Sequence, residues 1–133
     1  MLINSNYLAL NNMKVKSLAA GALACLSMMT ARAEPIIDSS KAAFYVGTEA
    51  MVCGTVHEVK PFSRGTYINM GARYPNQHIT FLVWDTDLPK FNKRFGRLSV
   101  FQGAKACARG LIKNYKDALQ IQVSNPQFLR LIK

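Results

Sequence analysis

From Ala50 onward the chain alternates apolar and polar positions in short runs closed by glycine, proline or asparagine, the period of two that half-buried strands require. In the first run Val52, Gly54 and Val56 share one face and Met51, Cys53, Thr55 and His57 the other, and Gly54 predicts a bend or bulge. Lys60 to Gly65 reads as a turn-rich loop. It leads to a second strand, Thr66 to Met70, which Gly71 ends. Tyr74-Pro75-Asn76-Gln77 is another turn, and the third strand, His78 to Asp85, sets Ile79, Phe81 and Val83 against Thr80, Leu82 and Trp84.

Two stretches carry helical signals instead. Asp38-Ser39 caps a short turn through Ser40, Lys41, Ala42, Ala43 and Phe44 that Gly47 stops, and Asp87-Leu88-Pro89 starts a helix running to Arg94 or Phe95. A fourth strand spans Lys105 to Ile112, with Ala106, Ala108, Gly110 and Ile112 on one face. Asn114 to Asp117 then forms a hairpin connection to a fifth, Leu119 to Val123. Phe128, Leu129 and Leu131 are expected to cover one end of the sheet. Five strands, the first and fourth bent by glycine, with a helix between the third and fourth, predict an all-β closed barrel in which closure removes exposed edges.

Before Glu34 the pattern changes in kind. Lys14 and Lys16 form a positive region, Leu18 to Met29 an apolar run, and Ala31-Arg32-Ala33 a small-residue cleavage signal, which together describe an export signal starting at Met13. A membrane anchor needs about 20 apolar residues, more than this run offers. A cleavage before Cys25 fits less well than one after Ala33. Residues 1–33 are thus set aside as an upstream segment and signal peptide, residues 34–133 are read as one domain with no membrane span, and the expected location is the periplasm or the exterior.

Removing that segment changes the charge and the cysteines. Lys14, Lys16 and Arg32 go with it, leaving fourteen cations against seven carboxylates. Such an excess favours polyanions, or serves only as a solubilising surface. Cys53 and Cys107 remain as an even pair in an oxidising compartment, so a disulfide is the default; with His57 they lack a fourth zinc ligand, and no metal site is expected.

Tyr45-Val46-Gly47, Val52-Cys53-Gly54-Thr55-Val56, Thr66 to Gly71, and Tyr74-Pro75-Asn76-Gln77 before Ile79-Thr80-Phe81-Leu82-Val83 resemble exported bacterial OB-fold domains, which stand alone or are attached to secreted nucleases. Gly110 to Tyr115 and Leu119 to Pro126 are similar to the last hairpin of that family. The resemblance implies an OB-fold (Greek-key) barrel that binds nucleic acid, with the first and fourth strands adjacent and Cys53 bridged to Cys107. One departure is Lys116-Asp117, where such domains commonly have glycine in the turn.

An OB barrel binds across its second and third strands, between the loops joining strands one to two and four to five. That places Tyr67, Asn69, Thr80, Leu82 and Trp84 outward, with Tyr67 and Trp84 as stacking planes. Lys60, Arg64 and Arg73 border them on one side and Lys113, Tyr115 and Lys116 on the other. Aromatics interleaved with cations suit a single strand, because stacking contributes about 1–3 kcal/mol per base and cations neutralise phosphates. Packing of Tyr67 and Trp84 against helix or tail is the competing reading. No nucleophile motif, phosphate loop or carboxylate cluster is present, and Asp85 and Asp87 fit a helix start, so neither enzyme activity nor a cofactor is expected. The expectation is a monomeric binder of single-stranded or irregular nucleic acid with low sequence specificity; the alternative is a periplasmic module for an envelope protein or an oligosaccharide.

Overall fold

The computed structural model describes residues 33–133. The segment read as an export signal lies outside the described residues except for Ala33. Eight strands form: β1 (Ile36–Asp38), β2 (Glu49–Phe62), β3 (Gly65–Met70), β4 (Ile79–Trp84), β5 (Lys105–Leu111), β6 (Lys113–Tyr115), β7 (Ala118–Gln122) and β8 (Leu129–Ile132). Among the described residues one α-helix, α1 (Leu88–Phe95), lies between β4 and β5, and a 3-10 turn (Ser39–Tyr45) follows β1. Asp38 caps that turn, its carboxylate accepting from the Ser40 N–H and hydroxyl. These bonds hold the Asp38 carboxyl below its ordinary pKa.

The strands pair in the order β6-β7-β4-β3-β2-β5-β8, with β1 parallel to β2. This corrects the closed five-stranded barrel: the sheet has eight strands and its ladder stays open. The expected fourth strand, Lys105 to Ile112, is β5 and ends at Leu111, because the Ile112 N–H donates to the Thr48 carbonyl and its carbonyl accepts from the Gly47 N–H; β6 forms in the segment expected as the hairpin connection, and β1 and β8 add two further strands. The C-terminal segment, expected as a cover, instead adds β8 to β5, pairing Ala106 with Leu131 and Ala108 with Leu129.

β2 is long enough to serve two ladders. Its first half pairs with β5 from Glu49 to Thr55, and its second half with β3 from Val56 to Phe62. The register shifts between Val56 and Glu58, so the bulge expected at Gly54 lies at His57. Gly54 instead makes room for Ser39, whose Oγ would lie 2.6 Å from an added Cβ. Because β2 continues through Phe62, the predicted loop from Lys60 shrinks to a turn at Ser63 and Arg64.

The inward row is as the alternation predicts. Ile68, Met70, Ile79, Phe81 and Val83 are fully buried, joined by Val52, Val56 and Ile121, and by Phe91 as the apolar anchor of α1. Full burial of each large side chain contributes about 1.5–3 kcal/mol. Cys53 and Cys107 face each other in the β2–β5 register and are bonded as a disulfide. No helix among the described residues is long and apolar enough to cross a membrane.

Candidate functional site

The bulge at His57 decides what the outer face of the sheet carries. Simple alternation from buried Val56 puts Glu58 and Lys60 inside. The extra residue reverses the parity, so Glu58 stands opposite Asn69, Lys60 opposite Tyr67, and Phe62 opposite Gly65. β4 continues this face with Thr80 opposite Asn69, Leu82 opposite Tyr67 and Trp84 opposite Gly65. Gln120 and Gln122 of β7 follow beside Thr80 and Leu82.

Aromatic rings cover one end of the face. The Phe62 ring stacks on Tyr67, with centroids 4.2 Å apart and planes within 9°, and meets Trp84 edge-on at 6.1 Å. Phe62 also lies over Gly65, where an added Cβ would come within 3.1 Å of its ring. The Arg64 guanidinium sits 5.9 Å from the Trp84 centroid.

The other end is a polar network anchored on Glu58, which is only 8% exposed. Its Oε1 accepts from Asn69 Nδ2 at 2.8 Å and from the Tyr74 N–H at 3.1 Å, and its Oε2 pairs with Arg73 at 3.1 Å. The backbone N–H of Tyr74, the Asn69 amide and the Arg73 charge hold the Glu58 carboxyl below the usual carboxylate range, against the opposing effect of burial. Thr80 Oγ1 donates to Asn69 Oδ1 at 2.7 Å and accepts from Gln77 Nε2 at 3.3 Å. The 71–78 loop is thus tied to the sheet by both Tyr74 and Gln77.

Above this network is a groove of about 330 Å³, lined by Lys60, Tyr67, Tyr74, Gln77, Tyr115 and Lys116 among others. Tyr74 is 67% and Tyr115 56% exposed at its rim. Lys116 and Asp117 form the β6–β7 turn with φ of 50° and 64°, the left-handed values glycine commonly takes there. Asn114 Oδ1 accepts from the Asp117 N–H at 3.1 Å and secures the turn. Lys116 Nζ consequently lies 5.3 Å from the Tyr115 centroid.

The ten residues expected at the site divide into groups. Lys60, Tyr67, Asn69, Tyr115 and Lys116 line the groove. Trp84 and Lys113 line a second hollow of about 560 Å³ with Arg109, Gln122 and Phe128. Arg64 covers Trp84, and Arg73 is committed to Glu58. Three expectations of exposure are corrected: Asn69 and Leu82 are each only 2% exposed, and Thr80 only 5%. Asn69 is bonded to Glu58 on one side and Thr80 on the other, and Leu82 sits between Tyr67 and Gln122 in the ladder. Asn69 serves the network beneath the groove, while Leu82 is buried on the sheet's outer side.

Sequence reading missed Glu58, Phe62, Tyr74 and Gln77 as parts of this face. Phe62 fell inside the expected loop, and the bulge hid the parity of Glu58. For Tyr74 and Gln77 a signal existed, since both flank the Pro75-Asn76 turn between two strands of the binding face. Asp87 caps α1 without a side-chain hydrogen bond and pairs with Lys90 at 3.2 Å. Among the described residues no group of three or more His, Cys, Asp or Glu is placed to hold a metal ion.

No family model and no curated protein matches the chain. Solved structures do. The Stn1–Ten1 complex of S. pombe aligns over 77% of this chain and 80% of its own, with a TM-score of 0.54 at 14% identity. The fold is an OB-fold. OBody AM2EP06 bound to hen egg-white lysozyme matches over 78% of this chain and 98% of its own, with a TM-score of 0.54 and 13% identity. A protein assigned as an aspartyl-tRNA synthetase from Leishmania major Friedlin matches over 79% of this chain, with a TM-score of 0.50 and 8% identity; the chain spans 22% of its length. At these identities the likeness defines the OB-fold framework, and the ligand has to be argued from the side chains on it.

Proposed function

We propose that this protein is an exported, non-catalytic OB-fold binder of single-stranded or irregular nucleic acid, held chiefly by stacking and phosphate contacts. One observation carries the reading: Tyr67, Tyr74 and Tyr115 meet Lys60 and Lys116 around a single groove on the face of β3 and β4. The groove lies on the sheet face where oligonucleotides bind in this fold, walled by the 71–78 loop on one side and the last inter-strand turn on the other. Tyrosine planes suit bases of any identity, and ammonium groups beside them suit the phosphates between. The likeness to a protein named as a tRNA synthetase is consistent with such a ligand. Export is supported by the basic, apolar and Ala-Arg-Ala pattern before Glu34 and by the Cys53–Cys107 bridge, which persists in oxidising compartments.

Titration of fluorescently labelled single-stranded oligonucleotides at low salt tests the proposal. Binding weakens with salt, and Lys60→Ala or Lys116→Ala each lowers the log-log slope by about 0.7 if that lysine neutralises one phosphate. Absence of binding at about 100 µM protein, the weak end of non-specific affinity, refutes it. A protein partner is the second reading, favoured by the OBody that binds lysozyme on the same framework. Salt-insensitive capture of an envelope protein, unchanged by Tyr115→Ala, would support that reading.

A further inference from the structure

The second hollow differs in chemistry from the tyrosine groove. Lys60 and Lys116 line the groove and no carboxylate does, whereas the hollow sets Glu34 and Glu49 against Arg109 and Lys113, so that its charges cancel. The two also lie apart. Thr80 lines the groove and Trp84 the hollow, a separation of about 13 Å along β4 at about 3.3 Å per residue. At about 560 Å³ the hollow falls within the range of about 300–1,000 Å³ found for small-ligand sites. Its polar groups are only partly used by one another. Arg109 Nε donates to Glu34 Oε2, while the terminal nitrogens of Arg109 and Glu34 Oε1 have no hydrogen-bond partner among the described residues. Glu49 and Lys113 are exposed and enter no ion pair among the described residues.

That set of groups separates ligand classes. A phosphate diester only accepts hydrogen bonds, so Arg109 and Lys113 suit it while Glu34 and Glu49 repel it. A hydroxyl both donates and accepts, and a ring of hydroxyls uses carboxylates, cations and amides together. The C–H face of a sugar ring carries slight positive charge, which suits the negative face of an aromatic ring. Trp84 and Phe128 both line the hollow, with Phe128 36% exposed. We infer that the second hollow is a binding site for a neutral oligosaccharide, in which Trp84 and Phe128 pack against a sugar ring and Glu34, Glu49, Arg109 and Gln122 take its hydroxyls. The inference does not rest on the nucleic-acid reading, because no residue lines both the hollow and the groove.

Trp84 is the sole tryptophan of the chain, so its fluorescence reports on the hollow. The test titrates the protein with cellotetraose and with chitotetraose, neutral oligomers of glucose and of N-acetylglucosamine, and reads that fluorescence together with NMR saturation transfer from protein to sugar. The expected result is saturable binding of at least one of them with a Kd of about 1 mM, unaltered by salt because the ligand carries no charge. Glu49→Ala weakens that binding about tenfold, the size of one charge-assisted hydrogen bond. The same variant leaves the melting temperature and oligonucleotide affinity within error, since Glu49 is exposed and stands outside the groove. No saturation transfer and no fluorescence change with either sugar at about 10 mM, tenfold above a millimolar site, overturns the inference whatever the oligonucleotide titration gives. Sugar binding that Glu49→Ala leaves unchanged overturns the assignment to this hollow. An oligonucleotide that shifts Trp84 fluorescence and binds Glu49→Ala more tightly makes the hollow part of a phosphate track, and overturns the inference as well.

Discussion

Replacing Glu58 by Gln keeps the shape of the side chain and removes only its charge, which makes it a sharp probe of the network beneath the groove. Two hydrogen bonds lose their charge assistance, those from Asn69 Nδ2 and from the Tyr74 N–H. A bond to a charged group contributes about 1.5–3 kcal/mol and a neutral one about 0.5–1.5, so each loses about 1 kcal/mol. The Arg73 pair adds little, because its side chain is 70% exposed and solvent screens it. The expected loss is therefore about 2 kcal/mol, equivalent to a fall of about 10 °C in Tm for a domain of this size. Acidity supplies the control. The folded carboxyl is depressed below the unfolded value of about 4.3, so its stabilisation is complete above that value and disappears as pH falls through the folded pKa. Thermal melts of the two proteins at pH 7 should differ, and the difference should collapse in acid below the folded pKa. Equal melting at pH 7, or a difference that persists undiminished in acid, refutes the argument.

Three further outcomes follow from the same geometry. Reduction of the Cys53–Cys107 bridge, or its replacement by Cys53→Ala with Cys107→Ala, frees a sequence separation of 54 residues and should cost about 4 kcal/mol in urea unfolding, by the loop-entropy relation. Gly71→Ala should destabilise by more than the roughly 1–2 kcal/mol of a left-handed backbone, because an added Cβ also runs into the His78 ring, whereas Gly47→Ala, with φ of +84° and open space, should lose only the backbone contribution. Phe62→Ala should uncover Tyr67 and Gly65 and weaken oligonucleotide binding with modest loss of stability, and unchanged affinity would mean that the stacked pair is only packing.

The inward residues of β3 and β4 were legible because strict alternation on a half-buried strand leaves one register that hides them all. The helix start at Asp87 and Pro89 and the capped turn at Asp38 were legible from local chemistry of the same directness, and the pairing of Cys53 with Cys107 from their being the two cysteines beyond Ala33. What escaped was non-local. The bulge at His57 has no glycine to announce it, and the one inserted residue puts Glu58 on the outer face, where uninterrupted alternation from Val56 would not. Ile112 looked like the end of a strand because its apolar side chain fits there. Its backbone groups bind Thr48 and Gly47 instead, a pairing between segments more than sixty positions apart. Parity puts Asn69 and Leu82 on the outer face, but it does not say that both are buried there, because burial depends on cross-strand neighbours that the period does not contain.

The basic composition points to the ligand less directly than the net charge implies. Lys93 and Arg94 occupy the last turn of α1, where cations meet the negative end of the helix dipole and have a structural reason to be there. Lys90 is paired with Asp87, Arg109 with Glu34, and Arg73 with Glu58. Lys60 and Lys116 stand at the groove without a carboxylate partner among the described ion pairs, beside rings that offer faces to a ligand. The remaining cations contribute a diffuse field that is screened within about 10 Å at moderate salt, so it speeds encounter and does little to hold what arrives. On the proposed reading, retention falls to the tyrosines, the two lysines and the polar floor that Glu58 organises. A substitution that leaves net charge unchanged but disorders that floor is thus expected to impair binding more than the loss of a distant lysine.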